Sequence, residues 1–298
     1  MSNEEKSFPK TSINWYPGHM AKTKRQIEQD LKLIDVVIEI LDARIPLSSQ
    51  NPDIGNLIEK KKRIVLLNKS DLADEKKNIL WKKYFEQKGA SCIITNSNSG
   101  DGIKDILKEI EKLMSDEMEK QKEKGRIGKN IRIMIVGVPN VGKSSLINRL
   151  AKKNSAVVGN KPGVTKQKQW IRIASNIELL DTPGVLWPKF ESQDVALNLA
   201  YTGTIKDDVI DDAEIACYLL KYLYNNYKEM LFERYKVNDE DINSNEENEM
   251  ILELMEQIGK KRGALLPGGI IDQEKTARLI LDDFRTGKIG RITLENVK

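Results

Sequence analysis

The stretch with the clearest chemistry is GVPNVGKSS, residues 137–145, which combines glycines with a lysine and hydroxyl side chains. Its spacing fits the pattern G-x-x-x-x-G-K-[ST], in which the glycines let the backbone wrap around phosphate groups. An apolar run precedes it and a helical pattern follows, so we expect phosphates to bind at a helix N-terminus. The residues predicted to bind phosphate here are Asn140, Val141, Gly142, Lys143, Ser144 and Ser145.

Three side chains predict a magnesium site beside these phosphates. The hydroxyl of Ser144 can ligate Mg²⁺ directly. The motif DTPG, residues 181–184, follows a predicted strand, so Asp181 can act on the metal through a water and the Gly184 N–H can sense the γ-phosphate. Thr165, in NKPGVTK, is the third candidate ligand, and an ordinary loop threonine is the alternative.

A second motif, NKSD at residues 68–71, predicts recognition of guanine. A carboxylate at Asp71 can accept hydrogen bonds from guanine N1–H and the exocyclic amine, which adenine cannot supply. Asn68 can brace the loop and the stem of Lys69 can lie along the base. The segment TNS, residues 95–97, can offer a backbone N–H to the guanine oxygen, although Ser97 could equally be a plain loop residue. The predicted guanine-binding residues are Asn68, Lys69, Ser70, Asp71, Asn96 and Ser97.

These motifs follow short β-branched runs, which are typical of parallel strands covered on both faces. Helical patterns lie between the runs, so the sequence predicts a doubly wound α/β sheet. The stretch QWIRIASNIELL predicts an antiparallel hairpin at the edge of that sheet. The predicted helices are 21–33, 75–87, 103–114 and 143–152.

The pattern changes after Gly184, where helical spacing continues without strands. We therefore predict an α/β domain over residues 1–195 and an all-α domain over residues 196–298, with a helix end and a charged linker over residues 116–130. The helical stretch DDAEIACYLLKYLYNNYKEMLFERY, residues 211–235, is rich in aromatic residues whose spacing is typical mostly of core positions: Tyr218, Tyr222, Tyr224, Tyr227, Phe232 and Tyr235. Basic residues of the second domain can meet RNA phosphates, and a solvated face is the alternative; they are Lys260, Lys261, Arg262, Arg285, Lys288 and Arg291.

Composition sets outer limits on function. The 298 residues include 49 basic and 45 acidic side chains, a net charge of +4 that is weak evidence for nucleic-acid binding. No apolar run approaches the roughly 18 residues that span a bilayer. The distant Cys92 and Cys217 fit no metal spacing and favour a reducing, cytoplasmic setting. We expect neither a membrane nor DNA as partner.

The order of the motifs is unusual. The set resembles the P-loop GTPases of the translation-factor class, but the base motif precedes the phosphate loop, which indicates a circular permutation. Because strand ends gather at one sheet edge whatever their order, the folded site can survive this change. DTPG then leads directly into the helical domain, so order at that loop can act on a second domain.

The chain resembles the YlqF/RbgA family of circularly permuted bacterial GTPases over nearly its full length. The resemblance is carried by WYPGHMAK, DARIPLSSQNP, NKSD, GVPNVGKSS, PGVTK, DTPGVLWPK, RGALLPGG and FRTGKIGRI. It implies GTP hydrolysis, binding to the immature large ribosomal subunit through ribosomal RNA and proteins, and release after hydrolysis.

The resemblance also bears on His19, the single histidine. DTPG is followed by Val185, and an apolar side chain cannot orient the attacking water as the glutamine of many GTPases does. The resemblance assigns that catalytic role to the histidine of PGHM, and a packed ring is the alternative. Asn140 resembles the asparagine of potassium-activated GTPases, where it helps to hold K⁺; simple backbone fit is the alternative. Asp42 and Arg44 of DARIP can form a structural ion pair.

Two rival functions stay open at this point. One is an RNA-binding scaffold that uses GTP only to fix its shape, without stimulated turnover. The other is a GTPase that acts on transfer RNA or on the small subunit.

Overall fold

The computed structural model describes residues 20–59, 61–125, 129–152, 170–180, 192–205 and 211–297. The helices are α1 (Met20–Leu31), α2 (Pro52–Ile58), α3 (Glu75–Gln87), α4 (Ile103–Glu123), α5 (Lys143–Lys152), α6 (Gln193–Tyr201), α7 (Asp212–Tyr235), α8 (Glu247–Arg262) and α9 (Gln273–Arg285). The strands are β1 (Val36–Asp42), β2 (Lys62–Asn68), β3 (Ser91–Ile94), β4 (Ile131–Val136), β5 (Trp170–Ala174) and β6 (Ile177–Leu180).

The strands form one sheet in the order β3-β2-β1-β4-β6-β5. All neighbours pair in parallel except β5 and β6, which form the predicted antiparallel hairpin at the edge. Every residue of β1 is buried, as expected of a central strand covered by helices on both faces. The predicted α/β fold is confirmed.

Two predicted helices have the bounds of the observed ones, α3 and α5. Helix α4 continues beyond Met114 to Glu123, so it contains the helix end that the sequence predicts within residues 116–130. Its apolar positions Ile103, Ile106 and Ile110 are buried on one face, while the later turns are polar and mostly exposed. Charged residues with good helix propensity can extend a helix into solvent without an apolar face.

The described residues divide into two compact units. The α/β unit comprises the described residues from 20 to 180 together with residues 293–297, and the helical unit comprises those from 192 to 292. The sequence predicts a single division at 195/196, whereas residues 293–297 belong to the α/β unit and not to the helical one. The reason is a set of hydrogen bonds that residues 293–297 make with the loops after β1 and β2.

The helical unit is built around α7, which packs against α8 and α9. Its core consists of aliphatic side chains such as Leu219, Leu223 and Leu254, all fully buried. Among the aromatic residues predicted as core, Tyr235 is buried, whereas Tyr218, Tyr222, Tyr224, Tyr227 and Phe232 are partly exposed. No helix in the described part of the chain has the length and hydropathy that crossing a membrane requires.

The N-cap of α3 gives a test of local stability. The Asp74 carboxylate accepts hydrogen bonds from the backbone N–H groups of Lys76 and Lys77 at 2.8 and 3.1 Å. Asp74→Ala should lower the free energy of opening of α3 by about 1 kcal/mol, because these donors lose their acceptor. Asp74→Asn keeps a capping oxygen and is the matched control. Amide hydrogen exchange in α3 measures the effect, and equal protection in the alanine and asparagine variants would contradict it.

Candidate functional site

Parallel pairing brings the two motifs that the sequence analysis singled out to one edge of the sheet. NKSD begins with the last residue of β2, and the phosphate loop follows β4. TNS follows β3 at the same edge. Because β1 lies between β2 and β4, the base motif and the phosphate loop flank the end of the central strand. This is the edge at which ligands bind in open α/β sheets.

The side chain of Asn68 joins three loops at this edge. It is 1% exposed, and its Nδ2 donates to the carbonyl oxygen of Val141 in the phosphate loop at 2.8 Å. Its Oδ1 accepts from the Ser97 backbone N–H at 2.9 Å and from the Ser97 hydroxyl at 2.8 Å. The bracing role predicted for Asn68 therefore extends to the phosphate loop.

Glycines let the phosphate loop approach its neighbours. Gly142 has a φ of +105°, and a Cβ there would collide with Asn68 Nδ2. A Cβ on Gly137 would lie 2.5 Å from the carbonyl oxygen of Ile40 in β1. A side chain at either position would push the loop away from the sheet, so the loop shape depends on both glycines.

Lys143, the first residue of α5, is held inside the phosphate loop. Its Nζ donates to the carbonyl oxygens of Gly137 and Val138 at 3.0 and 2.6 Å. Burial lowers the pKa of Lys143 to about 8, because the charged form is poorly solvated there. A phosphate group nearby would favour the charged form and reverse this shift.

The remaining described residues of the loop are placed to meet a ligand. Ser144 and Ser145 are exposed in the first turn of α5, where backbone N–H groups lack intrahelical partners. Asn140 is also exposed and has a φ of +58°, a conformation that asparagine tolerates better than most residues. The backbone-fit explanation of Asn140 therefore has a structural basis of its own.

The other end of the site is formed by NKSD. Asp71 is exposed and makes no hydrogen bond to another described residue, so its carboxylate is available to a ligand. The Ser70 carbonyl oxygen accepts from the Asn78 side chain of α3 at 3.2 Å. Lys69 has a φ of +58°, and its Nζ lies 3.0 Å from the Asp42 carboxylate at the end of β1.

The Asp42–Arg44 ion pair expected from DARIP is present. Both side chains are almost fully buried, and the guanidinium meets the carboxylate through two hydrogen bonds of 2.9 and 2.8 Å. Burial alone would raise the pKa of Asp42, but the charges of Arg44 and Lys69 hold it well below its usual range. The sequence predicted this ion pair, but it did not indicate that Lys69 forms a second ion pair with Asp42.

The sequence predicts that the TNS segment after β3 offers a backbone N–H to guanine, but its three N–H groups have acceptors within the protein. The backbone N–H groups of Thr95, Asn96 and Ser97 donate to Leu67, Asp101 and Asn68, respectively. A guanine oxygen would therefore have to compete for the Ser97 N–H. The Asn96 side chain also stabilises the loop, since its Oδ1 accepts from the backbone N–H groups of Asn98 and Ser99 at 2.9 and 3.2 Å.

Arg149 of α5 is a contact to this loop that sequence reasoning missed. Its Nε donates to the Ser97 carbonyl oxygen at 3.3 Å, and its guanidinium also contacts the carbonyl oxygen of Asn98. Helix α5, which follows the phosphate loop, thereby supports the loop after β3. An arginine on a helix carries no sequence signal that identifies such carbonyl partners.

Four predicted site residues, His19, Thr165, Asp181 and Gly184, lie outside the described residues. Of the predicted Mg²⁺ ligands, the structure thus describes Ser144. Within the described ranges, no group of three or more His, Cys, Asp and Glu side chains could hold a metal.

The fold and the phosphate loop define a P-loop GTPase with circularly permuted motif order. The family model described as "50S ribosome-binding GTPase" matches residues 132–257. The chain is 50% identical to ribosome biogenesis GTPase A of Bacillus cereus over 283 residues, covering 95% of this chain and 93% of that protein. It is 34% identical to the protein of that name from Thermotoga maritima over 284 residues, covering 95% and 94%.

A solved structure agrees with these relatives. The crystal structure of GNP-bound YlqF from T. maritima matches with a TM-score of 0.64 at 30% identity, covering 92% of this chain and 98% of that chain. The chain belongs to the ribosome biogenesis GTPase A family, and it is a GTP-hydrolysing ribosome assembly factor.

The lowered pKa of Lys143 predicts proton uptake when a nucleotide binds. With a pKa of about 8 in the free protein, Lys143 is half protonated at pH 8. Phosphate contact should raise this pKa, so GDP binding should take up about half a proton at pH 8 and about a tenth at pH 7. Calorimetric titrations in two buffers of different ionisation enthalpy measure this uptake. A binding enthalpy independent of buffer at pH 8 would contradict the assignment.

Proposed function

We propose that this chain binds immature large ribosomal subunits in the cytoplasm and leaves them after the subunit stimulates GTP hydrolysis. The proposal is supported by relatives named ribosome biogenesis GTPase A and by the family description, which specifies the 50S particle. The observation that carries it is the chain path: β6 ends at Leu180, directly before DTPG, and the helical unit begins at α6. Hydrolysis at the phosphate site can thus act on that unit through the connecting residues.

The nucleotide contacts are proposed as the sequence predicts them. Residues 140–145 and Gly184 would bind phosphates, with Mg²⁺ held by Ser144 and Thr165 and, through water, by Asp181. The exposed carboxylate of Asp71 would read guanine, with Asn68 and Lys69 shaping the loop around it. When bound, Mg²⁺ supplies positive charge to the oxygens of the β- and γ-phosphates.

Ribosomal RNA is the proposed partner of the helical unit, and six basic side chains are its proposed contacts. The Arg285 guanidinium donates to the carbonyl oxygens of Ala200 and Tyr201 at the end of α6. Arg262 and Lys261 donate to the carbonyl oxygens of Arg234 and Lys236 at the end of α7. Lys260, Lys261, Arg262, Lys288 and Arg291 are exposed and Arg285 is partly exposed, so all six stay proposed contacts to RNA phosphates.

Co-sedimentation separates this function from its rivals. The full chain, loaded with a non-hydrolysable GTP analogue, should travel with precursor large subunits on a sucrose gradient and remain unbound with GDP. Co-migration with the small subunit or with transfer RNA would overturn the proposal. RNA binding without any stimulated turnover would instead support a scaffold.

His19 is the proposed catalytic residue for hydrolysis. It immediately precedes α1, whose buried Ile27 and Leu31 fix that helix in the core of the α/β unit. His19→Ala should reduce subunit-stimulated GTP turnover about 10²- to 10⁴-fold, because the attacking water loses its orienting group. GDP affinity should not change. His19→Gln, which can still orient water, should retain more activity than the alanine variant. Full stimulated turnover in His19→Ala would show that His19 is not the catalyst.

Potassium dependence tests Asn140. We expect faster turnover in KCl than in NaCl at equal ionic strength, because K⁺ held by the Asn140 carbonyl would add positive charge beside the phosphates. Asn140→Gly allows the observed φ of +58° but removes the side-chain oxygen. This variant should therefore bind GDP normally and lose the preference for K⁺. Equal turnover of the wild-type protein in both salts would refute a potassium site.

A further inference from the structure

The last residues of the chain, 293–297, form a C-terminal tail that is fixed to the α/β unit. The hydroxyl of Thr293 accepts from the Asp74 backbone N–H at 3.0 Å, and its carbonyl oxygen accepts from Lys77 Nζ at 3.1 Å. Val297 packs against the core cluster that contains Trp81. These contacts anchor the tail beside the start of α3, directly after the NKSD loop.

Glu295 ties the tail to the loop that follows β1. Its carboxylate accepts hydrogen bonds from the backbone N–H groups of Leu47 and Ser48 at 2.6 and 2.8 Å, and from the Ser48 hydroxyl. The backbone N–H of Leu294 donates to the Arg44 carbonyl oxygen at 2.8 Å. A charged acceptor with three donors makes stronger bonds than neutral partners would, so this junction defines the loop conformation.

The same loop supports the ion pair beneath the guanine motif. Arg44, 1% exposed, binds the Asp42 carboxylate, and Asp42 in turn binds Lys69 of NKSD. The Ser49 hydroxyl accepts from the Asp42 backbone N–H at 3.1 Å, which joins the far end of the loop to the end of β1. A movement of this loop would therefore displace Arg44 and leave the buried charge of Asp42 poorly compensated, which is strongly unfavourable.

Lys69 is the residue on which these contacts converge. Its φ of +58° is uncommon for a non-glycine residue and persists only where the surrounding structure enforces it. The Asp42 carboxylate, 3.0 Å from Lys69 Nζ, supplies such a constraint from outside the motif. The orientation of the base-binding loop thus depends on contacts that run from Glu295 to the loop after β1, which carries Arg44, and from Arg44 through Asp42 to Lys69.

We propose that the C-terminal tail positions the guanine-binding motif and that Glu295 is a positioning residue for nucleotide recognition. The inference rests on the proposed role of NKSD in binding guanine. The tail directly follows the helical unit in the chain and belongs to the α/β unit.

The test compares two substitutions of Glu295 with a neighbouring control in the full-length protein. Glu295→Gln keeps the shape of the side chain but loses its charge, and Glu295→Ala removes all three hydrogen bonds. Asn296, the next residue, is exposed and is changed to alanine as the matched control. The probes are a fluorescent GDP for affinity and GTP for steady-state turnover, without ribosomes.

Both Glu295 variants should raise the Kd for GDP and the KM for GTP, by about 3- to 30-fold for alanine, while kcat stays close to the wild-type value. Asn296→Ala should match the wild type. Combining Glu295→Ala with Lys69→Ala should add little to the effect of Lys69→Ala, because the two residues act through one path. A lowered melting temperature with unchanged Kd and KM, or fully additive losses, would overturn the proposal.

Asp71→Asn separates this inference from the guanine assignment on which it rests. This variant should prefer xanthosine over guanosine nucleotides, since the amide offers a donor to the 2-oxygen of xanthine. If Asp71→Asn changes base preference while the Glu295 variants bind GDP normally, the tail proposal fails and the guanine assignment stands. If Asp71→Asn leaves base preference unchanged, the assignment itself fails.

Discussion

The nucleotide site depends above all on the buried amide of Asn68. One side chain joins the end of β2, the loop after β3 and the phosphate loop after β4. These loops are distant in sequence, and they meet because their strands end at one edge of the sheet. An unsatisfied buried donor or acceptor costs about 1–3 kcal/mol, so losing this amide would penalise every loop that it joins. Such contacts between loops do not depend on motif order, which explains how a permuted chain can keep the site.

The phosphate side and the base side of the site differ in how their buried charges are compensated. On the phosphate side, Lys143 is buried against carbonyl oxygens, and a bound phosphate would stabilise its positive charge. On the base side, Asp42 is already compensated by Arg44 and Lys69 and can stay ionised while buried. The first half is thus suited to respond to a ligand and the second half to hold a fixed shape.

The sequence was most informative where local patterns determine structure. Strand runs, the edge hairpin and the bounds of α3 and α5 follow from hydrophobic periodicity and motif position. Contacts between residues that are distant in the chain leave no such pattern. The sequence analysis therefore missed the hydrogen bonds of Arg149 with Ser97 and of Glu295 with Ser48. The TNS segment was predicted to offer a backbone N–H to guanine, with a plain loop role for Ser97 as the alternative; the Ser97 N–H donates to Asn68, a contact that only the packed loops determine. Similarly, α7 is rich in aromatics, yet aliphatic residues supply most of its buried positions.

The most direct test of this account is the GDP affinity of Asn68→Asp. The substitution keeps the size of the side chain and an acceptor for Ser97, but it replaces the donor to Val141 with an oxygen that faces a carbonyl. With a far-UV circular dichroism spectrum like that of the wild type, the variant should bind GDP at least about tenfold more weakly, the effect of roughly 1.4 kcal/mol. Wild-type affinity in a folded Asn68→Asp protein would contradict the claim that this amide joins the base and phosphate halves of the site.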